Sequence, residues 1–322
     1  MKGFILAAGL GTRLRPLTER VAKPALPVLG VPTFWFGAWH MARELGLTEI
    51  AINFSHAPDT LRAAALDPDL IAASGVKFHF SDESSELLGS SGALWKIRDW
   101  VGASSLAVLN GDCICLPTWK RLQKQHQKAK GLMTIHLRHH QGSAESYTVV
   151  QCDAHGRVTD FLPKAQSGVM FTGASLIEGL ALRRLPTGKS ELMATLLKPL
   201  SEERQLFATV EDVPWLDTGS PATYAEAHFS LLAVLPALRP LVELKMRETA
   251  PGVWVPRGWP AGRWRATVQG PACLYGEYDE WRPFLDDPSS SIGPRVVALV
   301  APPRGSKPLG GEIYFAGGRI PV

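Results

Sequence analysis

The residues best suited to chemistry lie near the start of the chain, where "LAAGLGTRLRPLTERVAKPALPV", residues 6–28, turns from a small apolar run into a loop of glycine, threonine and cations. Gly9 and Gly11 let a ligand approach backbone that side chains would otherwise screen. Successive exposed N–H groups then form a concavity suited to phosphate oxygens. Arg13 brings a planar fork for bidentate contact with a phosphate, Arg15 stands ready for the same role, and Lys23 brings a compact, mobile charge. Together they describe a cradle for a polyphosphate. A glycine-rich turn by itself is equally well a plain connector, and this one lacks both the GK[ST] ending of a P-loop and the GxGxxG spacing of a dinucleotide-binding turn.

Such a loop needs a strand that ends just before it and further strands beside it. Up to about residue 230, short apolar runs alternate with amphipathic stretches, the pattern of βα units around a mostly parallel sheet. Strands are predicted at 3–7, 49–53, 77–80, 105–109 and 132–137. "FWFGAWHMARELG" predicts a crossover helix with Phe34, Trp39, Met41, Ala42 and Leu45 on one face and Gly46 as its stop. "SGALWKIRDWV" predicts a second helix and "PATYAEAHFSLLAVL" a third, with Pro221 in its first turn. "SYTVVQCDAHGRVTDFL" reads as a hairpin around Asp153, Ala154, His155 and Gly156, which makes the sheet mixed. Beyond about residue 250, Gly, Pro and Trp dominate and no helical period shows, so a small all-β appendage is expected. Its pieces "VQGPACLYG" and "SIGPRVVAL" resemble coils of a left-handed parallel β-helix, as a degenerate repeat.

The composition, 322 residues with 45% hydrophobic and 20% charged, is enough for one main domain with a proper core plus an appendage. A net charge of +4 without a long Lys/Arg tract gives no support to a nucleic-acid or membrane-surface role and suits a small anionic ligand. The N-terminal apolar run is too short for a signal sequence, and no stretch is long enough to cross a bilayer. Cysteines 113, 115, 152 and 273 show no CxxC spacing, so reduced thiols in a cytoplasmic protein are expected.

The string "LAAGLGTRLRPLT" followed by "KPALPV" closely resembles the signature of the sugar-1-phosphate nucleotidyltransferases, or nucleotide-sugar pyrophosphorylases, down to the spacing of Arg13 and Lys23. The resemblance implies a Rossmann-like α/β fold, a mixed, mostly parallel sheet flanked by helices. It also implies an enzyme that couples a nucleoside triphosphate to a sugar 1-phosphate and releases pyrophosphate. It extends over about the first 230 residues and suggests a catalytic domain at 1–235 and a β-rich appendage at 236–322. "SDESSELLGSSGAL" is similar to the base-reading segment, so Glu83 and the backbone around Gly92 would face the base; a solvated loop carboxylate is the other reading of Glu83. "LAVLNGDCI" matches the strand ending in NGD, with Asn110 beside the nucleotide and Asp112 at the carboxyl end of a central strand. "WLDTGSPATYAEA" resembles the W-x-D segment that brings Asp217 to the same Mg²⁺, which takes hard oxygen ligands. Either aspartate alone would read as a cap or turn residue.

On this resemblance Ala8, Gly9, Gly11 and Thr12 line the nucleotide, and Arg13 and Lys23 are catalytic. Lys164 and Gly173 hold the sugar phosphate. Around them the chain departs from the family pattern: Pro163 and Ala165 replace a Glu and a Pro, and Tyr147-Thr148 stands where Tyr-Gly is usual. A side chain at Thr148 takes volume where a hexose would lie. Glu191 is read either as a sugar contact or, with more weight, as the start of a helix.

No enzyme nucleophile is needed, because a phosphate oxygen of the sugar phosphate attacks the α-phosphorus in line and catalysis is positioning and charge stabilisation. The nearest branch is the bacterial one containing mannose-1-phosphate guanylyltransferases and N-acetylmuramate-1-phosphate uridylyltransferases, which favours GTP or UTP. A homo-oligomer formed through the appendage is compatible with the sequence. The competing reading is a non-catalytic sensor or regulatory subunit that binds nucleotide sugar; retention of Arg13, Lys23, Asp112 and Asp217 argues against it. A dehydrogenase fits poorly, since no ribose-binding acidic residue follows the second strand.

Overall fold

The apolar runs of the first half become the strands of one sheet, and their carboxyl ends carry the motif residues. The computed structural model describes every residue except 142–147, 163–166, 261–263, 300, 304, 308–310 and 316–317. Two compact units share the chain: residues 1–10, 37–111 and 115–215 form the first, and residues 11–36, 112–114 and 216–322 the second.

In the first unit, Lys2–Leu6 lies between Glu49–Phe54 and Leu106–Asn110, with Lys77–Asp82 outside Glu49–Phe54, all in parallel. Glu49–Phe54 reads EIAINF and exposes only its first residue, as expected of a strand covered on both faces. On the other flank Ser167–Ile177 runs antiparallel to both Leu106–Asn110 and Met133–Gln141, and Leu206–Val210 pairs in parallel with Met133–Gln141. The sheet is therefore mixed and mostly parallel on the side that bears the motifs. The hairpin forms from Val149–Cys152 and Val158–Leu162, its turn held by the Asp153 carboxylate, which accepts from the N–H groups of His155 and Arg157.

Phe4, Leu94, Ile97, Leu106, Val108, Ile135 and Leu137 meet in the core of this unit. Winding reverses between Lys2–Leu6 and Leu106–Asn110, and open α/β sheets bind ligands beyond the carboxyl ends of the strands at such a point. The Thr33–Leu45 helix departs from the one-faced reading: Phe34, Trp35, Phe36, Ala38, Trp39 and Met41 are all buried, so it is apolar almost all round.

In the second unit, Val253–Pro256, Ala272–Leu274, Val296–Ala298 and Glu312–Phe315 stack in parallel, and Thr267–Val268 pairs with Ser291–Ile292 in the same sense. This is the coil-on-coil pattern expected of residues 250–322. The region is not all β, however. Tyr278–Leu285 is a helix that buries Trp281, Phe284 and Leu285. Their i, i+3, i+4 spacing is helical, but eight residues with Pro283 inside give too short a period to read from sequence. Among the described residues no single helix is long and apolar enough to cross a membrane.

Candidate functional site

Three stretches far apart in sequence bring Gly11, Thr12, Arg13, Lys23, Asp112 and Asp217 into the second unit. Gly11 opens the loop in left-handed backbone, φ 62°, and a methyl group there would sit 2.9 Å from Lys23 Cβ. Both torsion and packing thus require glycine. Thr18 Oγ1 donates to the Gly11 carbonyl at 2.7 Å and closes the loop. The single turn Thr12–Leu14 leaves Arg13 exposed. Lys23 is only 7% exposed, and its Nζ donates to Asp112 Oδ2 at 2.8 Å, whereas the Asp112 side chain is 47% exposed.

The segment after Asp217 is tied to the same place by Thr218 Oγ1, which donates to the Asp112 carbonyl at 2.8 Å. Gly219 marks the convergence of the remaining two groups. A methyl there would lie 2.8 Å from Arg13 Nη2 and 2.9 and 3.0 Å from the two carboxylate oxygens of Asp217. Ser220 and Thr223 form a capping box that fixes the start of the Pro221–Val234 helix, and with it the exit of the Asp217 segment. A guanidinium, a buried ammonium and two carboxylates gathered on loops can grip a polyanion and a hard cation together.

The first unit holds a second arrangement at its strand ends. Asn53, buried near the end of Glu49–Phe54, accepts from the Ala7 N–H through Oδ1 at 2.6 Å and donates through Nδ2 to Glu83 Oε1 at 2.8 Å. Glu83 Oε2 accepts from the Leu88 N–H at 3.0 Å. Ser55 Oγ donates to the Ala8 carbonyl at 2.7 Å. Three neighbouring strand ends are thereby stitched together, with Ala8 held by its carbonyl and Gly9 left exposed. Glu83 is 1% exposed, so it is no solvated loop carboxylate; both its oxygens serve to hold the 83–88 loop.

Ser190 O accepts from the N–H groups of Ser91 and Gly92, which docks the start of the Gly89–Val101 helix. Glu191 does the same from its side chain, accepting from Ser90 Oγ at 2.8 Å. Gly173, with φ 89°, lies against Asn110, whose Nδ2 would be 2.5 Å from a methyl at that position. Asn110 and Gly173, assigned from sequence to the nucleotide and the sugar phosphate respectively, are thus neighbours. Lys164 and Tyr147 lie outside the described residues. Asn53, Thr18 and Thr218 stand outside the site residues expected from the sequence. Of these, Asn53 carries a visible signal, a lone amide closing an apolar strand at its carboxyl end.

The family model described as nucleotidyl transferase matches residues 2–233. A UTP–glucose-1-phosphate uridylyltransferase from Synechocystis is 28% identical over 92% of this chain and 78% of its own length. An N-acetylmuramate alpha-1-phosphate uridylyltransferase from Neisseria meningitidis is 28% identical over 70% of this chain and 96% of its own. The chain spans 63% of the length of the rice mannose-1-phosphate guanylyltransferases it also matches. The crystal structure of HddC from Yersinia pseudotuberculosis superimposes with a TM-score of 0.61 at 21% identity, over 71% of this chain and 99% of that one, a likeness of fold. With the family's glycine loop, NGD strand end and W-x-D segment all present along the matched residues, the chain belongs to the nucleotidyl transferase family.

Proposed function

We propose that this protein transfers a nucleotidyl group from a nucleoside triphosphate to a sugar 1-phosphate and releases pyrophosphate, in a Mg²⁺-dependent reaction. The observation that carries the reading is the buried Lys23 ammonium held 2.8 Å from the half-exposed Asp112 carboxylate, on the loop whose sequence is most distinctive. A methyl at Gly9 would meet nothing within 4 Å, so its smallness answers no demand of the chain's own packing and suits close approach by a ligand.

In the proposed reaction the sugar-phosphate oxygen attacks the α-phosphorus in line and the protein supplies placed charge. Lys23 faces the α-phosphate and the leaving oxygens, Arg13 faces the β and γ phosphates, and the backbone N–H groups of Gly9 and Gly11 add neutral donors. Asn53, through Ala7, keeps the first of these donors in register. Lys164 and Gly173 are assigned to the sugar phosphate on the strength of the motif alone.

Asp112 and Asp217 would hold Mg²⁺. The donor set fits: both are hard carboxylates on adjoining segments. Two protein oxygens suit a cation that takes its other ligands from phosphates and water. Bound there, Mg²⁺ neutralises charge on the phosphoryl oxygens.

GTP and UTP are the favoured nucleotides under this proposal, with residues 1–235 as the catalytic part, residues 236–322 as an appendage and a cytoplasmic setting. The test is pyrophosphate release from each nucleoside triphosphate with mannose, glucose, N-acetylglucosamine and N-acetylmuramate 1-phosphates. Turnover with one pair, abolished by EDTA and by Lys23→Ala, is expected. Nucleotide-sugar binding without turnover across the panel would support the sensor instead.

A further inference from the structure

Beyond this reaction, and resting on it for its catalytic consequence, the second unit contains a buried polar junction around Tyr275, which directly follows the Ala272–Leu274 strand of the parallel stack. The Tyr275 hydroxyl lies 2.7 Å from His228 Nε2 and 3.3 Å from the Gly30 nitrogen. His228 Nδ1 lies 2.9 Å from the Tyr224 carbonyl, and Tyr224 Oη donates to the Pro27 carbonyl at 2.7 Å. A carbonyl only accepts, so Nδ1 carries the imidazole proton and Nε2 presents its lone pair. Burial pushes the His228 pKa down to about 4, which keeps the ring neutral. The Tyr275 hydroxyl therefore donates to His228 and accepts from the Gly30 N–H. The Pro27 carbonyl, which accepts from Tyr224, also lies 3.5 Å from the Tyr275 hydroxyl, and every polar atom of the junction has a partner of the right sense.

What this junction grips is the turn of a two-residue hairpin. Pro27–Val28 pairs with Val31–Pro32, and Leu29 and Gly30 both adopt positive φ, 47° and 78°. Lys23 begins the turn Lys23–Ala25 just before that hairpin, and the Thr33 N–H and hydroxyl both bond the Leu26 carbonyl to close its base. From the other side Met246 presses on the same turn, since a methyl at Gly30 would be 2.5 Å from Met246 Cγ. Tyr224 and His228 both belong to the Pro221–Val234 helix that the Asp217 segment enters. One hydroxyl thus touches both the hairpin that follows Lys23 and the helix that follows Asp217.

We propose that Tyr275 is a positioning residue for Lys23 and Asp217, so that the C-terminal stack of strands forms part of the catalytic apparatus through its hydroxyl. It touches no substrate. It fixes the seat of the Pro27–Gly30 turn and, through His228, the helix behind Asp217. Misplacement of a charge donor by about an ångström costs turnover without necessarily costing binding.

The experiment uses the full chain with Tyr275→Phe, which keeps the ring and removes only the hydroxyl. Hydrogen exchange of peptides covering residues 26–33 is compared with a reference peptide from the Met133–Gln141 strand. Turnover and KM are measured with the active substrate pair. Expected are exchange at least about tenfold faster in 26–33 alone, a kcat about tenfold lower, and KM values within about twofold for both substrates. Gly30→Ala, which pushes the turn off its seat from the Met246 side, is expected to lower kcat in the same way. Unchanged exchange in 26–33 overturns the proposal, as does faster exchange in both peptides with KM rising alongside, the mark of a merely stabilising residue. If the wild-type protein turns over no pair, the reaction proposed above fails while the exchange comparison still decides whether Tyr275 seats the turn.

Discussion

Replacing Lys23 separates catalysis from stability, because the geometry sets the two costs far apart. The ammonium is buried on its own side, yet its partner Asp112 is 47% exposed. When Lys23→Met removes the charge and keeps much of the stem, the Asp112 carboxylate is rehydrated where it stands. The ion pair is then worth about 1 kcal/mol to stability, the upper range for a pair with a solvated member, which shifts a melting midpoint by about 2–4 °C. In the transition state the lost ammonium would have faced charge developing on phosphate oxygens, where one preorganised donor is worth about 2.7–4 kcal/mol, or roughly 10²–10³ in kcat. The expected outcome is a variant that melts within a few degrees of wild type and binds nucleotide, but releases pyrophosphate at least about a hundredfold more slowly in a continuous phosphate-coupled assay. A folded variant with kcat within about threefold of wild type would refute the catalytic role of Lys23 and the mechanism built on it.

Glu83→Gln leaves one of two buried donors, the Asn53 amide or the Leu88 N–H, facing an NH₂ group, at a cost of about 1–3 kcal/mol. Its nucleotide Kd is expected to rise about tenfold or more in calorimetric titration, and an unchanged Kd would show that the 83–88 loop takes no part in nucleotide binding. Asp217→Asn is expected to raise the Mg²⁺ concentration needed for half-maximal turnover by about tenfold, which a metal titration checks, an unchanged requirement removing Asp217 from the metal site. Stability should fall on acidification for a specific reason. With the folded His228 pKa near 4 and the ordinary value at 6.5, the unfolded chain takes the proton first as pH drops below 6.5, and the loss levels off below about pH 4. The full shift corresponds to about 3 kcal/mol in denaturant titrations, with buried His136, also held near 4 by burial, acting in the same direction. His228→Gln should start lower at pH 7 and decline less; a decline as steep as wild type's would contradict the assignment.

Much of this protein is legible along the chain because its signals are local. The EIAINF run carries its burial on both faces in its own composition, and the hairpin at 149–162 announces itself by Asp153 and Gly156. The glycine loop was equally readable, since torsion at Gly11 and charge at Arg13 and Lys23 are properties of single residues in one short string. What escaped depends on partners far away. Glu83 gives no sign of being buried until Asn53, 30 residues earlier, is brought beside it. The pairing of His228 with Tyr275 spans 47 residues, and each alone looks like an ordinary aromatic core position. The Tyr278–Leu285 helix was hidden for the opposite reason, as too short a period with a proline inside it.

The interleaving of segments has a consequence for how the chain is made. Residues 11–36 leave the ribosome early, yet the partners that seat them, Tyr224, Tyr275 and Met246, belong to the last third of the polypeptide. At about 5–20 residues per second, the Lys23 hairpin waits roughly 10–50 s for Tyr275 to emerge. Over that interval residues 37–111 and 115–215 can already complete their sheet. Nascent chains arrested after residue 215 are therefore expected to protect the sheet strands from protease while leaving 11–36 cleavable, and protection of 11–36 at that length would contradict the idea. The cation-bearing loop is thus translated among the first residues and meets the last of its seating partners only near the end of synthesis.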